Sequence, residues 1–198
     1  MSGSSHHDVV DVVVDNTNAV KEAVKEELVV LWEKLPTWQQ DNKFILSGYR
    51  PSSGSYRKSA ASLGYLHNET ANIYSHLLGS LAFAAAGLTL WKTLAPRYKS
   101  ASSEDVYVFS CFFLGAVTCL GMSATYHTIS NHSEVVSRFG NKLDYLGIVF
   151  LIWGSFIPSI HYGFSCSPEW INTYWTMVRE ACWCIPTDAK QQSVRSQL

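Results

Sequence analysis

The chain has 198 residues, and 15 Lys and Arg stand against 16 Asp and Glu for a net charge of −1. No basic excess calls for nucleic acid, and charges of both signs are interspersed, so no nucleic-acid partner is expected. The five cysteines, Cys111, Cys119, Cys166, Cys182 and Cys184, contain no CxxC pair; they read as packing residues or free thiols, not as a disulfide framework or a zinc ribbon.

Met1 to Asn18 is acidic and lacks a basic stretch followed by an apolar one. No signal peptide is expected, and the first spanning helix would itself target the membrane. Val20, Val24, Leu28, Leu31 and Leu35 then recur at steps of three to four beside Lys21, Glu22, Lys25, Glu26 and Glu27. That pattern predicts an amphipathic helix within a cytosolic region 1–60. Pro36 ends it, and Pro51-Ser52-Ser53-Gly54-Ser55 marks a second break before the membrane region.

Three apolar runs set the fold class. Ile73 to Trp91 gives 19 residues with only His76 ionisable, Val106 to Tyr126 gives 21 without a charge, and Tyr145 to Ile160 gives 16, extended by Leu143, Tyr162 and Phe164. A hydrocarbon core of roughly 30 Å takes about 20 residues at 1.5 Å rise, so each can cross it. The expected fold is all-α, a polytopic transmembrane helix bundle with spans at about 73–94, 106–128 and 143–164 in a membrane domain 61–177. A mean hydropathy of +0.02 looks soluble only because polar ends dilute these windows. Helices buried in a soluble core are the alternative, and short polar loops between the runs argue against it. Trp170 to Met177 begins a fourth apolar pattern, an incomplete span over 170–186; Arg179 and Glu180 interrupt it, Pro186 follows, and 187–198 is a polar tail.

Polar residues at the ends of the runs are the candidate site, because groups costly to bury in lipid usually mark one. Glu69, Asn72 and His76 share a face at the start of the first span, and Ser123 and His127 share one at the end of the second. Asp144 opens the third. Successive spans run antiparallel, so all six belong to one side of the membrane and can converge. A neutral imidazole suits zinc, and a nearby carboxylate and hydroxyl can ligate, orient a water or transfer a proton. One histidine is not a zinc site, however, and the same groups can simply cap helices and hydrogen-bond across the bundle. His161 and Cys166 fall at the far end of the third span, His132 in a solvated loop, and His6 and His7 near the amino terminus, where order is least expected. Pro158 is expected to kink the third span, and Tyr145, Trp153, Tyr162, Trp170 and Trp175 to face lipid or the interface.

The runs Glu69-Thr-Ala-Asn72-Ile-Tyr-Ser-His76, Ser123-Ala-Thr-Tyr-His127 and Lys142-Leu-Asp144-Tyr-Leu-Gly147-Ile148 resemble the progestin and adipoQ receptor family, which includes adiponectin receptors and hemolysin III-related proteins. The resemblance extends upstream through Leu35-Pro36-Thr-Trp38, Asp41-Asn42 and Gly48-Tyr49-Arg50-Pro51, and downstream through Gly154-Ser155-Phe156-Ile157-Pro158. It implies a seven-helix bundle, unrelated to rhodopsin-type receptors, with a cytosolic N-terminus in the plasma membrane or endoplasmic reticulum. Charge alone does not orient the chain: Arg57, Lys58, Arg138 and Lys142 lie on one side, Lys92, Arg97 and Lys99 on the other.

The resemblance further implies a Zn2+ held by a second-helix histidine, matched by His127, and by two histidines of an HxxxH motif in the seventh helix. Ser123 and Asp144 match positions beside the metal and its water, which gives them catalytic roles in a zinc-dependent amide hydrolase acting on lipids such as ceramides. Glu69, Asn72 and His76 match the first family motif in a supporting role. No HxxxH follows the third span here, so two of the three implied ligands are missing. The expectation is a truncated product of alternative splicing, a frameshift or an incomplete gene model. Three functions follow: a receptor in lipid and zinc homeostasis with a lipid or protein agonist, a ceramidase-like hydrolase, or a non-catalytic fragment that pairs with itself or with full-length protein.

Overall fold

A computed structural model describes residues 28–97 and 102–180. It is helical, with no strand among the described residues: α1 is Tyr56–Ala61, α2 Thr70–Arg97, α3 Ser103–Ile129 and α4 Glu134–Gly163. Among the described residues, three stretches are long and apolar enough to cross a bilayer, Thr70–Leu90, Ser103–Ile129 and Glu134–Gly163. They overlap the three expected spans.

Helix ends are set by local chemistry. At α3, Asp105 Oδ2 accepts from the Ser102 backbone N–H at 2.8 Å while Ser102 Oγ accepts from the Asp105 N–H at 3.3 Å. This reciprocal box satisfies two donors that a helix start leaves bare. Before α4, Ser133 presents its Oγ to the Val136 N–H at 3.5 Å, and Glu134 holds Arg138 one turn on at 2.6 Å. Those polar contacts carry α4 back to Glu134, well ahead of the apolar run that begins near residue 143. Asp144, expected at the opening of this span, therefore stands ten residues inside its helix.

The expected amphipathic helix lies mostly outside the described residues. Over 29–55 the chain has no α-helix. Val30 and Tyr49 form an antiparallel bridge, and Trp32–Lys34 and Thr37–Gln39 are single 3-10 turns on either side of Pro36. Leu35 and Tyr49 are buried there. After α4 the chain turns and is helical again over 168–180, so Arg179 and Glu180 do not break that helix within the described residues. The polar tail lies outside them.

The chain divides into two compact units. One holds the residues up to Tyr74 together with Thr125–Asn141, and the other holds Ser75–Ala124 and the residues from Lys142 onward. In the second, a Cβ built on Gly154 would lie 2.5 Å from the Cys111 carbonyl oxygen, and one on Gly115 2.8 Å from that of Phe150. Glycine is what allows α3 and α4 this backbone approach, the usual device where lipid supplies no hydrophobic drive between helices. Ser80 Oγ donates to the Val117 carbonyl at 3.1 Å and adds a polar tie between α2 and α3. Tyr145, Trp153, Tyr162, Trp170 and Trp175 are all exposed, as expected of lipid-facing or interfacial aromatics.

Candidate functional site

Within the first unit the site is built around Glu69 and His127. The Glu69 carboxylate accepts from Asn68 Nδ2 on one oxygen at 2.9 Å, and from Asn72 Nδ2 and His127 Nδ1 on the other at 2.9 and 2.7 Å. Burial works against its charge, but the bonds from His127 and Asn72 and the nearby Arg50 charge together hold its pKa below the ordinary carboxylate range. Glu69 is therefore ionised near neutral pH and the proton of the pair sits on His127 Nδ1. The ring is oriented with Nε2 as its second nitrogen.

Arg50 fixes the backbone beneath that ring. It is 2% exposed, and its Nη1 donates to Ser62 Oγ at 2.9 Å and to the Thr128 carbonyl at 2.8 Å. Its Nη2 donates to the His127 carbonyl at 2.5 Å and to Ser130 Oγ at 3.0 Å. Carbonyls in the last turn of a helix have no partner within it, and a guanidinium fork is well shaped to gather several. Burial lowers the Arg50 pKa and Glu69 opposes that shift. Beside it Asn131, also buried, donates to the Pro51 carbonyl and accepts from Ser59 Oγ.

Sequence reasoning did not single out Arg50, because three of its four partners lie 77 to 80 residues away in the chain. The one signal was its place in the Gly48-Tyr49-Arg50-Pro51 stretch. Among the described residues its Nε and the Oε1 of Gln39, both buried, have no hydrogen-bond partner, and both residues line a cavity of about 200 Å³ with Glu69, Asn72 and His127. Water molecules, at about 30 Å³ each, fit such a space and can serve both atoms.

In the second unit, Ser123 Oγ and His76 Nδ1 are 2.8 Å apart, and Ser123 is buried. Asp144 belongs to this unit, in α4. The six expected site residues thus fall three to each unit, Glu69, Asn72 and His127 in the first and His76, Ser123 and Asp144 in the second. His132 turns to Ser133 Oγ at 3.1 Å and stacks on Tyr56 at 4.2 Å between ring centres, and His161 lies 3.9 Å from Glu104.

A metal-binding histidine commonly gives its other ring nitrogen to a carboxylate, and His127 with Glu69 has that form. A catalytic zinc normally takes three protein ligands, and among the described residues no group of three His, Cys, Asp or Glu side chains is arranged to hold a metal. The described residues fit one ligand of a zinc site and not the full set.

Residues 64–187 match the Haemolysin-III related family. The chain is 47% identical over 150 residues to progestin and adipoQ receptor-like protein 1 of Caenorhabditis elegans, covering 76% of this chain and 34% of that one. It is 44% identical over 135 residues to the adiponectin receptor protein of Drosophila melanogaster, 68% of this chain and 30% of that one. With heptahelical transmembrane protein 1 of Arabidopsis thaliana the identity is 32% over 158 residues, 78% of this chain and 47% of that protein. The chain thus spans about a third of the length of the first two relatives. Its three apolar helices, and relatives named as receptors and as a heptahelical transmembrane protein, make it an integral membrane protein. The chain belongs to the Haemolysin-III related family of membrane proteins, alongside the progestin and adipoQ receptors.

Proposed function

We propose that the chain works as a receptor-type membrane protein in lipid and zinc homeostasis, with its amino-terminal region in the cytosol and a membrane lipid or a protein agonist as its ligand. The supporting observation is the doubly held histidine: Glu69 grips the His127 ring at 2.7 Å while Arg50 grips its carbonyl at 2.5 Å. Orientation of this kind is what a metal ligand requires. His127 is read as one ligand of a Zn2+ ion whose other ligands come from residues outside the described ones or from another chain.

A second reading is a zinc-dependent lipid amide hydrolase. It draws support from Ser123 Oγ at 2.8 Å from His76 Nδ1, since a hydroxyl bonded to an imidazole can pass a proton. Ser123 and Asp144 would then act on substrate. A third reading, a non-catalytic partner of fuller family chains, draws support from the single zinc ligand.

Metal analysis of the protein purified in nanodiscs and dialysed against micromolar zinc tests the metal reading. Wild type should retain zinc, His127→Ala should lose it, and Glu69→Gln should weaken affinity by about 10- to 100-fold, as loss of an orienting partner does. Full zinc retention by His127→Ala, or no zinc in wild type, overturns it. Ceramide turnover that survives His127→Ala in a zinc-loaded preparation would remove the hydrolase reading.

A further inference from the structure

The first unit carries large apolar side chains on its surface, in two segments, 44–46 and 66. Phe44 is 84% exposed, Leu46 70% and Leu66 84%, with Ile45 also open. Exposed apolar side chains grouped in this way mark an interaction surface.

Both segments are fixed relative to the start of α2. The Gly48 carbonyl, two residues after Leu46, accepts from the Asn68 N–H at 2.8 Å, and Asn68 stands two residues before the first residue of α2, Thr70. On the other side Tyr74 Oη, one turn into α2, donates to the Leu63 carbonyl at 2.9 Å. The exposed segments are therefore held at the level of the first turn of a membrane-crossing helix. The hydrocarbon core is about 30 Å thick and the bilayer about 40–45 Å with its headgroups, so that turn lies in the interfacial zone.

The 43–46 loop is also ordered in advance. Asn42 Oδ1 accepts from the Phe44 N–H at 3.0 Å, the Asn42 carbonyl accepts from Tyr49 Oη at 2.9 Å, and the Leu46 carbonyl accepts from the Trp32 N–H at 3.0 Å. Gly48 closes it at φ +84°, a conformation that favours glycine. Little entropy remains to be lost on docking. The same unit carries exposed cationic groups: Lys43 Nζ sits 5.5 Å above the Phe44 ring, and Arg57 and Lys58 are exposed on α1. Apolar side chains with a cationic fringe are the make-up of a surface that enters the headgroup layer of an anionic leaflet.

We propose that Phe44, Ile45, Leu46 and Leu66 dock into the lipid headgroup region of the leaflet at the amino-terminal end of α2, with Lys43, Arg57 and Lys58 meeting phospholipid phosphates. This anchors the polar site of the first unit against the membrane surface.

Photocrosslinking tests the docking. Phe44→benzoylphenylalanine and Leu66→benzoylphenylalanine are reconstituted in nanodiscs of mixed zwitterionic and anionic phospholipid, with Glu33→benzoylphenylalanine as the exposed polar control of the same unit. Their exposure lets these positions take the substitution without refolding, and thermal unfolding verifies it. Irradiation should give phospholipid adducts at positions 44 and 66 several-fold above position 33, with a further rise as the anionic fraction increases. Adducts at 44 and 66 to another segment of the chain or to a second copy, or lipid adducts no more frequent than at 33, would overturn the proposal.

Discussion

Glu69 and His127, 58 residues apart in the chain, meet through a 2.7 Å contact between a carboxylate oxygen and ring Nδ1. The same carboxylate carries Asn68 and Asn72, so its removal takes one acceptor from three donors at once. Glu69→Ala should destabilise the protein by about 1–3 kcal/mol, the range for losing hydrogen bonds to a charged group. Glu69→Gln, which keeps the shape and one acceptor, should lose less. Thermal unfolding in a mild detergent ranks the two.

Arg50 makes a sharper case. Four acceptors converge on its two terminal nitrogens, among them the carbonyls of His127 and Thr128. A lysine ammonium cannot span that set, so Arg50→Lys should fail nearly as badly as Arg50→Ala, with each losing at least about 3 kcal/mol. A Lys variant with wild-type unfolding temperature would show that the fork geometry is not needed.

Close helix contact in the second unit predicts strong discrimination between glycines. Gly154→Ala would drive a methyl to 2.5 Å from the Cys111 carbonyl oxygen, whereas among the described residues nothing lies within 4 Å of a Cβ at Gly163. The first should cost about 1–3 kcal/mol through overpacking, and the second should stay within about 0.5 kcal/mol. Equal unfolding temperatures for the two variants would contradict the observed packing.

Acid should loosen the first unit through His67. Burial, and after it the Arg50 charge, lower its pKa to about 4 against the opposing effects of Glu69 and a hydrogen bond to the Ser62 backbone. Its Nδ1 also accepts from the Glu69 N–H at 3.1 Å, which a protonated ring cannot do. Between the ordinary value of 6.5 and the folded value of about 4, the unfolded chain binds the proton and the folded chain does not. The His67 contribution should therefore be constant above pH 6.5, fall as pH drops through that window, and level off below it, where Glu69 with its depressed pKa continues the loss. Unfolding temperature measured against pH should follow this course, and His67→Gln should flatten it.

The spans were legible because a long apolar run needs no tertiary partner to be recognised: expected spans at 73–94 and 106–128 became Thr70–Arg97 and Ser103–Ile129. The start of α4 was not, since its first turns are polar and rest on the Ser133 cap and the Glu134–Arg138 pair instead of on hydropathy. At the site, helical spacing correctly placed Asn72 one turn from Glu69, where the two are hydrogen-bonded. Spacing could not show that His127 would choose Glu69, that Ser123 would choose His76, or that Arg50 would close beneath His127. Those choices depend on segments brought together from 47 to 80 residues apart.

Arg50 also imposes an order on synthesis. The carbonyl it needs at Thr128 is made 78 residues later, which at about 5–20 residues per second is a delay of roughly 4–16 s. During that interval α2 is itself being made, and the guanidinium still has no acceptors from α3. The amino-terminal segment can lock only after the last turn of α3 has been made, so completion of α3 is the event that licenses assembly of the site.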